Sequence, residues 1–89
     1  MPELSRFHGI IIRMFSEPSE RHNLRHFHAY YQEHVVVFCI SPVTLVAGSL
    51  PQRQQRLVET WAELQERELL DDWNLPQDGK KPAAIAPLQ

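Results

Sequence analysis

The chain has 89 residues, 43% of them hydrophobic and 22% charged, with a formal net charge of −2. That balance suits one globular domain and excludes a wholly disordered chain; a pI near 6.2, with no basic surplus, argues against a generic electrostatic binder of nucleic acid. No apolar run approaches the roughly 20 residues of a membrane span, and Cys39, the single cysteine, has no partner for an intramolecular disulfide, so a soluble protein of a reducing cytoplasm is expected. A chain this short buries only about 60–65% of the surface its unfolded form exposes. Its stability margin is thin, and a partner or self-association is expected to supply part of it.

Residues 1–8 read as a lead-in, without the basic segment and apolar core of a signal peptide. Gly9 then introduces Ile10–Phe15, a strand by its β-branched content, with Ile10, Ile12 and Met14 on one face and Ile11, Arg13 and Phe15 on the other. A polar loop follows over residues 16–23, broken by Pro18. Arg25–Tyr31 and Val35–Ile40 form the densest patch of β-forming residues and read as paired strands with a tight connection near Gln32 and Glu33. Alternation points His26, His28 and Tyr30 one way and Phe27, Ala29 and Tyr31 the other. Ser41 and Pro42 interrupt the run and turn the chain into a fourth strand, Val43–Ala47, ended by Gly48.

A helix start is spelled out next: Ser49 and Gln52 have the spacing of a capping box, and Pro51 sits in the first turn. Leu57, Val58, Trp61, Ala62, Leu64 and Leu69 share one side at helical spacing, with Leu70 and Trp73 off that axis and a bend expected near Arg67. Pro76 and Gly79 close the helix. Its charges run against its dipole, Arg53 and Arg56 lying near the positive end and Glu66, Glu68, Asp71 and Asp72 near the negative end. The last residues, 76–89, are either a flexible end or an extended arm that tucks Ile85 and Leu88 onto the body. The expected fold is therefore one α+β domain: a small, mainly antiparallel four-stranded sheet over residues 9–47, packed by one long C-terminal helix over residues 49–75.

Chemistry concentrates on the histidine strand. His26 and His28 lie two apart, which puts two imidazoles on one face with Cα atoms about 6.6 Å apart. One could act as acid and the other as base, or both could ligate one metal ion. A divalent metal needs at least a third ligand, which His8, His22 or His34 could supply only through folding, so the pair is a weak metal signal. Tyr30 shares their face and completes the candidate catalytic set. Arg13, Arg21 and Arg25 are the candidates for binding a phosphate or carboxylate through their forked donors, and scattered solvated arginines are the plain alternative. No serine, cysteine or aspartate stands in a nucleophile motif, and Gly9, Gly48 and Gly79 are too isolated to cradle a phosphate. Cys39 reads as a small buried hydrophobe, and Trp61 and Trp73 as core and edge packing.

Four stretches together resemble a known family: Gly9-Ile10-Ile11-Ile12-Arg13-Met14, His26-Phe27-His28-Ala29, Gly48-Ser49-Leu50-Pro51, and a helix with Trp61-Ala62-Glu63-Leu64 and Glu68-Leu69-Leu70-Asp71-Asp72-Trp73. The chain is similar over nearly its whole length to the small bacterial domain of unknown function numbered 4160. It departs from that pattern at Leu24-Arg25, where two prolines are usual, at Gln65, often a histidine, and in the turn before Val35, usually with a glycine. The resemblance implies a compact α+β domain whose gene is often found beside another small gene, a toxin–antitoxin-like arrangement. Two functions are expected from it and from the residues: a protein-interaction module with a small protein partner or a homodimeric contact, or a small histidine-dependent nuclease acting on RNA or another phosphodiester. Nucleic acid enters only in the second, and a membrane in neither.

Overall fold

A computed structural model of the chain describes residues 3–14, 25–77 and 83–88. They form β1 (Glu3–Phe7), β2 (Ile10–Arg13), β3 (His26–Tyr31), β4 (His34–Cys39), β5 (Thr44–Ala47), α1 (Gln52–Leu64) and α2 (Glu66–Gln77). The strands make one antiparallel sheet in the order β1-β2-β3-β4-β5. The class is α+β, but with five strands rather than four and two helices rather than one.

The added strand is β1, in what reads as a lead-in. Its register shifts between Glu3 and Ser5, so that Leu4 and Ser5 are both buried. A bulge of this kind breaks the period of two by which a strand is recognised. His8 and Gly9, with φ of 49° and 78°, turn the chain directly into β2. Both central residues in the left-handed region match the twist of a two-residue hairpin. The Gln32–Glu33 connection between β3 and β4 is as expected, closed by the pair Tyr31 and His34.

Register sorts the side chains into two faces. Ile12, Ala29 and Val36 stand in one inward row, and Phe27 beside Phe38 in the next, all of them buried. Trp61 of α1 seals this face, its ring 5.4 Å from Phe7 and 5.9 Å from Phe27. Opposite lies an outer face with a row of Glu3, Arg13, His28, Val37 and Ala47 and a row of Arg6, Ile11, Tyr30 and Val35.

The helical segment is interrupted at Gln65 (φ −108°, ψ 21°), two residues before the expected bend. The interruption is slight: Gln65 N–H still donates to Trp61 O and Leu69 N–H to Gln65 O, each at 2.9 Å. Its effect on charge is larger, because Glu66 and Glu68 become the first turn of α2, where the dipole favours acids. The buried line runs Val58, Trp61, Ala62, Leu69, Asp72 and Trp73. Trp73 therefore belongs to it, while Leu64, at 68% exposure, does not. The capping box is also corrected. Pro51 itself is the N-cap, in an extended conformation and with no side-chain acceptor to offer, so no side-chain cap bond forms.

Beyond α2 the chain returns as an extended arm rather than a loose end. Ala83 N–H donates to Asp72 Oδ1 at 2.9 Å and Ile85 N–H to Leu4 O at 2.8 Å, while Trp61 Nε1 donates to Ala86 O at 2.8 Å. Ile85 enters the core and Leu88 packs against it. The arm thus ties β1, α1 and α2 together, and it satisfies a buried indole N–H that would otherwise lack an acceptor. Among the described residues no helix is long and apolar enough to cross a membrane.

Candidate functional site

The outer face of the sheet holds most of the residues that the sequence singles out. β3 delivers His26, His28 and Tyr30 to it by alternation, and the β2–β3 ladder sets Arg13 directly beside His28. The His26 and His28 rings meet edge to face at 5.4 Å, and His28 stacks on Tyr30 at 6.4 Å. Arg13 closes the row, its guanidinium carbon 5.3 Å from the centroid of the Tyr30 ring. Four side chains from two adjacent strands thus form one continuous run.

The two histidines are not equivalent within it. His26 is 6% exposed and lies against Trp73 of α2, ring to ring at 5.1 Å. His28 is half-buried in the middle of the face. The sequence gives both the same parity, which is correct, but shows nothing of Trp73 closing over one of them. Across the ladder from His26 stands Cys39, whose thiol donates to Pro42 O at 3.0 Å.

The remaining candidates are dispersed. Arg25 is exposed just ahead of β3, where its carbonyl accepts from Ile40 N–H at 3.0 Å, and among the described residues its side chain joins neither Arg13 nor the histidines. Arg21 and His22 lie outside the described residues. His8 is exposed in the β1–β2 turn, and His34 stacks on Tyr31 at 6.3 Å by the β3–β4 turn. Among the described residues no three of histidine, cysteine, aspartate and glutamate converge as a metal site would need.

Two features of this face are not evident from the sequence. Glu3 and Arg6, within the strand read as a lead-in, form a doubly bonded pair, with Arg6 Nη2 and Nε donating to Glu3 at 2.9 and 3.2 Å. Those hydrogen bonds hold the Glu3 carboxyl below the usual carboxylate range. The second feature is apolar. Val35 and Val46 are 51% and 49% exposed, with Val37 half-buried two residues along β4 and Ile11 half-buried in the same row as Val35, on the far side of Tyr30. Alternation places β-branched residues on both faces, and only the position of α1 decides which of them it buries.

A five-stranded antiparallel sheet, packed on one face by Trp61 of α1 and carrying a histidine–tyrosine–arginine row on the other, with Trp73 of α2 against one end of that row, defines a small α+β domain. Residues 9–74 match the family described as Domain of unknown function (DUF4160), and the chain belongs to it. The matched span runs from the β1–β2 turn to Asn74 and so includes the whole row and Trp73. No curated protein and no solved structure matches the chain.

Proposed function

We propose that the chain is a protein-interaction module, one component of a two-gene, toxin–antitoxin-like bacterial pair, and that it engages its partner through the outer face of the sheet. The observation that carries this reading is the exposure of Val35 and Val46, 51% and 49%, on the face that α1 does not cover. Val35 stands opposite Tyr30, and half-exposed β-branched side chains on one sheet with a tyrosine and an arginine have the composition of an interface core, where aromatic residues and arginine dominate binding energy. Membership of the family supports the paired gene, since the resemblance carries that arrangement with it. Light scattering across a concentration series, with and without the neighbouring gene product, tests the proposal. A complex or a homodimer of defined size supports it. A monomer in both conditions, with an unchanged melting temperature on mixing, removes it.

A second reading has one observation in its favour. His26, His28, Tyr30 and Arg13 form a contiguous row in which an acid, a base and a phosphate-binding arginine would have neighbouring places. A small histidine-dependent nuclease would use them in that way. Burial of His26 under Trp73 weighs against it, because proton transfer by two histidines needs both within reach of the substrate. Cleavage of single-stranded RNA by the wild type, abolished in His28→Ala, would bring this reading ahead of the first.

A further inference from the structure

We infer that Arg13 is the anchor of the recognition face, and that it takes a carboxylate, flanked by apolar side chains, from the partner protein. The inference rests on the interaction-module reading and deepens it. Its starting point is a pairing that does not form. Across the β1–β2 ladder the residue opposite Arg13 is Glu3, the obvious carboxylate for it. Both Glu3 oxygens are instead taken by Arg6, at 2.9 and 3.2 Å. Among the described residues Arg13 has neither an ion-pair partner nor an acceptor for its Nε–H, although that atom is buried.

Arg13 as a residue is only half-buried, and a charged guanidinium without an ion-pair oxygen is lowered in energy by a carboxylate that meets its accessible part. The guanidinium is also pre-placed. Packed at 5.3 Å over the Tyr30 ring, it loses little rotamer freedom on binding, and its planar fork suits a two-oxygen acceptor. What surrounds it decides between a carboxylate and a phosphate chain. Ile11 is its neighbour but one on β2, and Val37 and Val35 lie beyond His28 and Tyr30 in the two rows. A nucleic-acid backbone needs a series of cations along its track. Among the described residues Arg6, the other arginine in these two rows, is already paired with Glu3, and the chain as a whole is acidic. An arginine that makes no hydrogen-bonded ion pair among the described residues, with Ile11 and Tyr30 close by and valines further along the two rows, suits a protein side chain.

Selection of short random peptides displayed on phage against the immobilised full chain tests this directly. The expected result is enrichment of peptides carrying an aspartate or glutamate beside apolar residues. Replacing that carboxylate by its carboxamide should weaken binding to the wild type about tenfold or more. Arg13→Gln should bind both forms with the same low affinity, Arg13→Lys should retain part of the preference, and Arg13→Glu should favour a peptide with lysine at that place. Melting curves of the variants establish that each is folded. Selected peptides without an acid, equal affinity for acid and amide, or no enrichment at all would overturn the inference. Binding of an oligouridylate that Arg13→Gln abolishes would overturn it too, by giving the arginine to a phosphate. The two failures are separable: if the neighbouring gene product binds wild type and Arg13→Gln equally, the module reading stands and the anchor falls.

Discussion

The ring of His26, at the start of β3, lies 5.1 Å from the ring of Trp73, near the end of α2. It is the one ring contact among the described residues that joins the histidine strand to the second helix, and it accompanies the deeper burial of His26 relative to His28. An aromatic pair of this kind adds about 0.5–1.5 kcal/mol beyond the area it buries. A double-mutant cycle with His26→Ala and Trp73→Ala, followed by urea denaturation, should return a coupling energy of that size. Additive effects within about 0.3 kcal/mol would mean that the rings are merely adjacent.

Trp61 is the larger structural element. It is fully buried between Phe7 and Phe27, and its indole N–H is the donor that holds Ala86 of the C-terminal arm. Trp61→Ala should cost about 3–5 kcal/mol, a large share of what a domain of this size possesses. Trp61→Phe should cost less while still loosening the arm, because it keeps most of the ring and leaves the Ala86 carbonyl without its donor. Denaturant melts of both variants, with limited proteolysis of the arm, check the pair. A loss below about 1 kcal/mol for Trp61→Ala would contradict its place in the core.

What was legible in the sequence followed strict periodicity. Phe27 and Ala29 face inward and His26, His28 and Tyr30 outward because β3 is regular over its whole length. Trp61 is buried because it follows Val58 by one helical turn. Irregularities hid the rest. The bulge at Leu4 concealed β1, and the interruption at Gln65 disguised Glu66 and Glu68, favourably placed, as acids at the wrong end of a longer helix. The closing of Trp73 over His26, and the loss of Glu3 to Arg6 rather than Arg13, are tertiary choices between side chains that local pattern does not distinguish.

The β3–β4 turn carries a correctable strain. Gln32 has a φ of 53°, in the left-handed region, and is not a glycine. For a residue with a side chain this conformation costs roughly 1–2 kcal/mol. Gln32→Gly removes that cost but adds freedom to the unfolded chain, so a net gain of about 0.5–1 kcal/mol is expected. The contrasting change is Gly48→Ala. Gly48 has a φ of 82°, and a Cβ there would collide with the Val35 carbonyl oxygen, so this variant should lose stability. Thermal melts that rank Gln32→Gly below the wild type, or Gly48→Ala level with it, would count against the described turn and β5 geometry.

Asp72 makes stability depend on pH in the direction opposite to most carboxylates. Its side chain is buried, Oδ1 accepts from Ala83 N–H, and Oδ2 has no partner among the described residues. Burial raises its pKa above 3.8, the Ala83 hydrogen bond offsets part of that rise, and the nearby charges of Asp71 and Glu68 add to it. Between the unfolded pKa and the raised folded one, the native state binds more protons than the unfolded state. Stability from this group is therefore fully present below the unfolded value and is lost as pH rises through the folded one. Asp72→Asn keeps an acceptor for Ala83 and cannot ionise. The difference in unfolding free energy between Asp72→Asn and the wild type should accordingly shift in favour of the asparagine as pH is raised from about 4 to about 7. Urea titrations of both proteins at the two pH values measure it. A difference that is flat with pH, or that shifts toward the aspartate, would show that the carboxylate is charged at no cost where it stands.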